Sequence, residues 1–153
     1  MQCSSDIALL RVSNIDELEL FDKLDQQSHA ARYVMQTGLK KHREYFNDPN
    51  ITYLTIINDE QEVSGYFILV NDQKLKSVEF RRILIDESKL GIGQISIFEM
   101  EDFCRKNFKA KRIWLDVFDD NVIGKHIYRK LGYKKFNEQS YAERVLEFYE
   151  KNI

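Results

Sequence analysis

Residue types that mark several protein classes are scarce in this chain. Only two cysteines, Cys3 and Cys104, stand among 153 residues. They make neither a disulfide framework nor a zinc site, and two reduced thiols fit a cytoplasmic location. No apolar run approaches the ~20 residues that a membrane helix requires, so no membrane partner is expected. Met1–Leu10 hold a short apolar patch after Asp6, without the basic, apolar and small-residue succession of a signal peptide. A basic excess is also missing: 23 Lys and Arg face 25 Asp and Glu, for a formal charge of −2. Nucleic-acid domains usually carry a net basic surface, so no nucleic-acid partner is expected. A Walker lysine motif is absent, as is a complete G-x-G-x-x-G with its downstream acid, which argues against other nucleotide-binding folds. The three histidines, His29, His42 and His126, show no metal spacing and no nucleophile partner, and no metal is expected.

What is present suits one globular domain. The length matches roughly 150 residues per domain, enough to bury about two-thirds of the unfolded surface. Hydrophobic residues make up 43%, and ten phenylalanines and eight tyrosines supply large core side chains. Ile7–Val12 reads as an edge strand. Ser13–Asp25 reads as a helix capped by Ser13, with Ile15, Leu18, Leu20, Phe21 and Leu24 on its apolar side. A second helix is expected over Gly38–Phe46, ending before Pro49. From Ile51 the pattern alternates. Strands are expected at Ile51–Ile57 and Val63–Asn71, joined by a turn at Asn58–Glu60, and at Lys76–Ile85. A helix from about Gly91 to Asn107, a strand at Arg112–Phe118, a helix at Asn121–Leu131 and strands at Tyr133–Phe136 and Arg144–Tyr149 follow. A helix between two strands suggests a parallel crossover within a mixed sheet.

Two segments carry chemistry. Ser88-Lys89-Leu90-Gly91-Ile92-Gly93-Gln94 follows a strand and opens a helix. Glycines there allow a phosphate to approach the backbone, and first-turn N–H groups with the helix dipole can hold it. An ordinary strand-to-helix turn has the same look. The second segment, Asn121 to Tyr133, reads as an amphipathic helix with Ile123, Ile127 and Leu131 buried, a cap at Asp120 or Asn121, and Gly132 as a left-handed C-terminal cap. Taken alone, Tyr128 is a boundary tyrosine.

Together the two segments resemble the GNAT superfamily of N-acetyltransferases. Asn121, Gly124, Tyr128, Leu131, Gly132 and Tyr133 match its pattern of asparagine, a small residue three later, tyrosine seven later, then hydrophobe, glycine and aromatic. Gly91 and Gly93 match the small residues of its pyrophosphate loop. The strand Arg112–Val117 lies between the two, as in that family. Ser88 departs from the usual Gln or Arg, and Glu79–Gly91 is about two residues shorter than the family stretch. The resemblance implies an α/β (α+β) fold: a mixed, mostly antiparallel sheet of about seven strands with splayed parallel central strands, flanked by about four helices.

The resemblance also implies a function: transfer of an acetyl group from acetyl-CoA, as co-substrate, to a primary amine by direct attack in a ternary complex. Ile83, Leu84 and Ile85 would line the pantetheine arm as an added strand does. Lys89, Leu90, Gly91, Ile92, Gly93 and Gln94 would hold the pyrophosphate. Asn121, with Gly124 in the same motif, would reach the pantetheine region, and Tyr128 would protonate the departing sulfur. Glu79 is the candidate base, with Asp116 on the neighbouring strand as the second choice. On the residues alone, Glu79 and Arg81 share a strand face and can simply pair. The acceptor is a small molecule, polyamine or protein amine, with Gln26–Asn50 and the loop around Asn137–Glu143 expected to select it. A homodimer stays open. The rival reading is a non-catalytic acyl-CoA-binding module of the same fold. Cys104 is expected to fill the core.

Overall fold

The alternating pattern that begins at Ile51 builds most of one sheet. A computed structural model describes residues 8–27, 37–86 and 91–153. Its strands are β1 Ala8–Val12, β2 Ile51–Asn58, β3 Val63–Asp72, β4 Ser77–Ile85, β5 Arg112–Phe118, β6 Lys134–Tyr141 and β7 Arg144–Asn152. Among the described residues four α-helices accompany them: α1 Leu18–Asp25, α2 Leu39–Asn47, α3 Gly93–Phe108 and α4 Val122–Lys130. The strands lie in the order β1-β2-β3-β4-β5-β7-β6. All neighbours are antiparallel except β4 and β5, which are parallel across the α3 crossover. The expected mixed sheet of seven strands and four helices is therefore the observed one.

The sheet separates two cores. Leu54, Ile56, Phe67, Leu69, Val78, Phe80, Ile113, Leu115 and Val117 pack with Ile97, Met100 and Cys104 of α3. Cys104 is the core filler its position predicted, and burial pushes its thiol up to about 12. On the opposite face Leu18, Phe21 and Leu24 of α1 meet Tyr53, Tyr66, Ile68 and Leu84. A bulge lets β4 serve both faces. Ile68 pairs with Arg82 and Leu69 with Phe80, so Arg81 is the extra residue. Before it, Val78 and Phe80 enter the α3 core; after it, Ile83 and Ile85 do. One inserted residue thus reverses the inside and outside of the strand.

Several local expectations change. Ser13 does not cap the first helix: its Oγ lies 2.7 Å from Thr55 Oγ1, both buried. The chain enters through a 3-10 turn at Ile15–Glu17, and Glu17 Oε1 accepts the Asn14 N–H at 2.9 Å. Ile15 and Leu20 are exposed rather than buried, because the 3-10 turn changes the helical phase before α1 begins. Asn137–Glu143 is not a loop for most of its length: β6 continues to Tyr141, and the chain turns at Ala142 with φ 55°.

The core under α1 and α2 holds a polar network. His42 Nε2 lies 2.7 Å from Asp25 Oδ2, and His42 Nδ1 lies 2.6 Å from the Tyr53 hydroxyl. The Tyr66 hydroxyl donates to Asp25 Oδ1, and Arg82 Nη1 donates to Asp25 Oδ2 at 3.3 Å. Burial is the main cause that raises both tyrosines well above the ordinary phenol range, so both hydroxyls stay protonated. A neutral imidazole satisfies every group: Nε2–H donates to the carboxylate and Nδ1 accepts from Tyr53. The rings of Phe21 and Tyr66 stack at 4.3 Å over this network. It joins α1 and α2 to β2, β3 and β4 through one carboxylate.

His42→Ala strips Asp25 of a partner in a dry core and leaves a cavity. Losing a hydrogen bond to a buried carboxylate costs about 1.5–3 kcal/mol and the cavity left by the ring adds to it, so His42→Ala costs more than Tyr53→Phe, which orphans one ring nitrogen for about 1–3 kcal/mol. Urea unfolding midpoints of both variants check this order; an unshifted His42→Ala midpoint refutes it.

Candidate active site

The parallel pair is the place where the sheet opens. β4 and β5 pair only through Ser77 with Arg112, Val78 with Ile113 and Glu79 with Trp114. Past that point β4 continues to Ile85 and β5 to Phe118 with no further ladder between them. β4 keeps its other neighbour, since Ile83, Leu84 and Ile85 still pair with Phe67, Tyr66 and Gly65 of β3. Gly65 makes that grip tight: a Cβ there would sit 2.0 Å from the Leu84 carbonyl oxygen. So β4 is held by β3 while β5 moves away. The β5-facing edge of β4, including Ile83, Leu84 and Ile85, borders the resulting gap.

The glycine turn lies at the start of α3. Gly91 and Ile92 form a 3-10 turn, Gly93 begins the helix, and no side-chain cap is made at Ile92. Among the described residues, chain neighbours and the helix's own backbone apart, no atom lies within 4 Å of where a Cβ would stand on Gly91 or Gly93. No acidic residue occupies the first turn, which Gln94 shares. Lys89 and Leu90, with Ser88, lie outside the described residues.

The second motif turns out to be two helix caps with a tyrosine between them. Asn121 Oδ1 accepts the Gly124 N–H at 2.9 Å, and a Cβ at position 124 would come within 2.8 Å of the Asn121 amide. The Asn-x-x-Gly spacing is thus a cap that only a residue without a Cβ admits. At the other end Gly132 has φ 99°, its N–H donates to Arg129 O at 3.0 Å, and the Tyr133 N–H donates to Tyr128 O at 2.9 Å. This double-bonded left-handed ending is a Schellman motif. It fixes the Tyr128 backbone directly. Ile123 departs from expectation: it is 77% exposed, because the described residues place no core beneath its end of the apolar stripe. Lys125 turns toward Glu147, at 3.6 Å.

The Tyr128 ring packs edge-on against Phe80 at 5.9 Å and Tyr133 at 6.1 Å. Phe80 is the first residue of β4 past the last pair with β5. Burial first, then the charge of Asp116, pushes the Tyr128 hydroxyl up to about 12. It therefore holds its proton at neutral pH. Asn71 Oδ1 is the single fully buried side-chain oxygen or nitrogen without a partner among the described residues. Among the described residues the Tyr128 hydroxyl makes no hydrogen bond either.

Two carboxylates stand on the sheet face opposite the α3 core. Glu79 receives two bonds from Arg81, both at 2.9 Å, and the Arg81 guanidinium lies over the Tyr45 ring at 5.3 Å. Asp116 alternates with the buried Leu115 and Val117, so its side chain points away from the core that they enter. The residue is exposed at the surface, yet partial burial of its carboxylate raises its pKa; the Glu79 charge adds to this and Arg81 opposes it. The structure thus brings Glu79, Asp116 and Tyr128 to one opening, approached from its two faces.

Sequence reasoning missed Arg81 as the bulge residue, Gly65 as the close contact, and the partners of His42. Asp22, Asp25 and His42 place ligand atoms within 4.8 Å of one another. Both ring nitrogens of His42 and both oxygens of Asp25 are already taken by protein partners.

Comparison with known proteins bears on this arrangement. The family model described as acetyltransferase (GNAT) family matches residues 13–133. No curated protein matches the sequence. Among solved structures, spermidine N-acetyltransferase from Vibrio cholerae in complex with CoA and spermine superposes with a TM-score of 0.81 at 16% identity, covering 95% of each chain. The Vibrio cholerae enzyme in complex with manganese ions gives 0.78 at 15% identity, covering 98% of this chain and 95% of that one. Its dodecameric form in an intermediate state gives 0.76 at 14% identity, covering 95% and 93%. At such identities these likenesses establish the fold, while the family match spans most of the chain together with the glycine turn, the parted strands and Tyr128. The protein belongs to the GNAT family of acetyltransferases.

Proposed function

We propose that this acetyltransferase binds acetyl-CoA in the gap between β4 and β5 and passes the acetyl group directly to a primary amine. The observation that carries the reading is the protonated Tyr128 hydroxyl, packed on Phe80 beside strands that part immediately after Glu79 and Trp114. The β5-facing edge of β4 at Ile83, Leu84 and Ile85 would run along the pantetheine arm. The turn of Gly91, Ile92, Gly93 and Gln94, extended by Lys89 and Leu90, would hold the pyrophosphate with backbone N–H groups at the positive end of α3. Asn121 and Gly124 act here through the cap they form, which sets the start of α4 and hence the reach of Tyr128.

The chemistry makes three demands. The amine must attack as a free base, although a typical ammonium has a pKa near ~10, so a carboxylate at the gap is needed to take its proton. Glu79 and Asp116 are the two candidates. The developing oxyanion needs a donor, for which the β4 edge near Ile83–Ile85 is placed. The departing sulfur needs a proton, and Tyr128 holds one. This third feature favours catalysis over mere acyl-CoA binding.

The acceptor is an amine. Polyamines head the list, since the related fold cited above was solved with spermine. A net negative pair, Glu79 and Asp116 against Arg81, gives a cationic acceptor an attractive field. Cytoplasmic residence belongs to the same reading, supported by the free Cys104 thiol and by the absence, among the described residues, of a helix long and apolar enough to cross a membrane.

Acetyl-CoA at a hundred times its Kd should stabilise the fold by about 2.7 kcal/mol, visible as a rise in Tm. Gly91→Val should abolish most of that rise while leaving the ligand-free Tm nearly unchanged, because, chain neighbours and the helix's own backbone apart, no described atom lies within 4 Å of where its Cβ would stand. No rise with millimolar acetyl-CoA, while ATP or NAD gives one, rejects the reading.

Tyr128→Phe should lower kcat about tenfold to a hundredfold and leave acetyl-CoA affinity intact, since the packed ring is kept and only the proton donor is lost. Thiol release over an amine panel, with calorimetry for binding, measures both. Undiminished kcat in a variant that binds normally would leave Tyr128 as a packing residue.

A further inference from the structure

A buried carboxylate lies away from the gap, on the helix that the glycine turn opens. Glu101 of α3 is 2% exposed and shares the inner stripe of that helix with Ile97, Met100 and Cys104. Its Oε2 accepts the Tyr133 hydroxyl at 2.8 Å. Lys151 Nζ of β7 donates to the same carboxylate, 3.0 Å from Oε1 and 3.2 Å from Oε2. The Lys151 chain passes beside the ending of α4: a Cβ on Gly132 would stand 3.4 Å from its Cε. Glu101 thereby joins α3, the residue after the α4 ending, and β7, across 32 and 50 positions of sequence.

Such a group is a poor choice where stability is all that is required. Apolar side chains of the same volume often hold a core as well as a buried ion pair or better, because they carry no desolvation cost. What the charged cluster adds is direction, since it is satisfied at one placement of its three groups. That placement bears on Tyr128. Tyr133 is buried and tied at both ends: its N–H donates to Tyr128 O at 2.9 Å, and its hydroxyl donates to Glu101. Its ring stands edge-on to the Tyr128 ring at 6.1 Å, and Phe80 meets that ring from the strand side at 5.9 Å. With no hydrogen bond to the Tyr128 hydroxyl among the described residues, the hydroxyl lies wherever these two neighbours hold its ring.

We propose that Glu101 is a positioning residue for acetyl transfer: through the Tyr133 hydroxyl, with Lys151 as counter-ion, it holds the Tyr133 ring, and with it the Tyr128 ring, in register with α3. This rests on the acetyl-transfer reading of the cleft, in which the turn at the head of α3 holds acetyl-CoA and Tyr128 protonates its sulfur. Ligand and proton donor then refer to one frame. Glu101 stands roughly two turns along α3 from Gly93 and touches neither acetyl-CoA nor the amine. Its loss leaves the donor in place but loosely aimed. A misplacement of about 1 Å can cost on the order of a hundredfold in rate, so a loosened ring should cost about tenfold.

Two measurements test this. The first needs no turnover. In NMR spectra of ring-labelled tyrosine, with Tyr128 identified by its loss in Tyr128→Phe, Tyr133→Phe should speed the flipping of the Tyr128 ring, because it cuts the tie to Glu101 and keeps the packing. An unchanged flip rate overturns the proposal even if no acceptor is ever found. The second is thiol release from acetyl-CoA with 1,4-diaminobutane. Glu101→Met combined with Tyr133→Phe removes the whole tie and orphans no buried polar group, since the Lys151 side chain is 20% exposed and reaches water. This double variant should keep a Tm near that of wild type and an unchanged KM for acetyl-CoA, with kcat about tenfold lower. Added to Tyr128→Phe, the same two changes should lower kcat no further, because the donor they misplace is already gone. Glu101→Gln, which keeps an oxygen for the Tyr133 hydroxyl, should recover most of the loss. Undiminished kcat in the double variant overturns the proposal, and so does an equal loss in the Tyr128→Phe background, which is what a merely structural role would give. Should the double variant not fold, Tyr133→Phe alone enters the same comparison. Failure of acetyl-CoA to raise the Tm of wild type counts instead against the cleft reading on which the proposal rests.

Discussion

A parallel strand pair that stops pairing is the constraint on which the remaining structure turns. β4 and β5 share three ladder positions and then separate, although each strand runs on. Among the described residues no further strand pairs the edges this leaves, and backbone groups so left are costly unless a partner or water takes them. A gap of this kind survives only because its two walls are held from outside. β3 grips β4 as far as Ile85, with Gly65 against the Leu84 carbonyl, and β7 grips β5 along its whole length.

In the proposed reaction the same gap lets residues on two faces of the sheet reach one reactant. Tyr128 approaches from the α4 side, and Glu79, Arg81 and Asp116 stand on the other. In a closed sheet the backbone and its buried side chains would separate them. The bulge at Arg81 makes this arrangement compatible with a packed core, since it lets β4 present Phe80 to the α3 face before the gap and Ile83 and Ile85 to that face along it. Each cap of α4 then has a role at the site: Asn121 sets where the helix begins, and the Schellman ending pins the carbonyl of Tyr128 itself.

Behind the acceptor side lies a second device of a different kind. Asp25 gathers bonds from His42, Tyr66 and Arg82 in a core otherwise made of Leu18, Phe21, Leu24 and Ile68. A buried carboxylate tolerates that setting only with its bonds complete, so the network demands one relative placement of α1, α2 and three strands. Arg82 follows the bulge residue Arg81 directly. The clamp on Glu79 and the anchor of the two helices are therefore neighbours on one strand, which ties the geometry of the acceptor side to the interior.

The sequence by itself determined whatever depends on near neighbours. The strand-to-helix glycine turn, the Asn121–Gly124 cap, the Gly132 ending and Tyr128 between them could be read because capping chemistry works over three to six residues and needs particular residue types. The alternating and helical periods gave the element order for a similar reason. Tertiary structure alone decided what depends on distant parts of the chain. Asp25 meets His42 across 17 residues and Arg82 across 57, with no spacing rule to announce either contact. Ile123 continues the apolar stripe of Ile127 and Leu131, yet whether a stripe is covered depends on what lies beneath it, and the described residues place no core beneath its first turn. Glu79 and Asp116 look alike as strand carboxylates. Only the folded chain sets one against Arg81 and leaves the other at the opening, because a side chain's partners follow from the packing of elements and its residue type fixes only what it can bond.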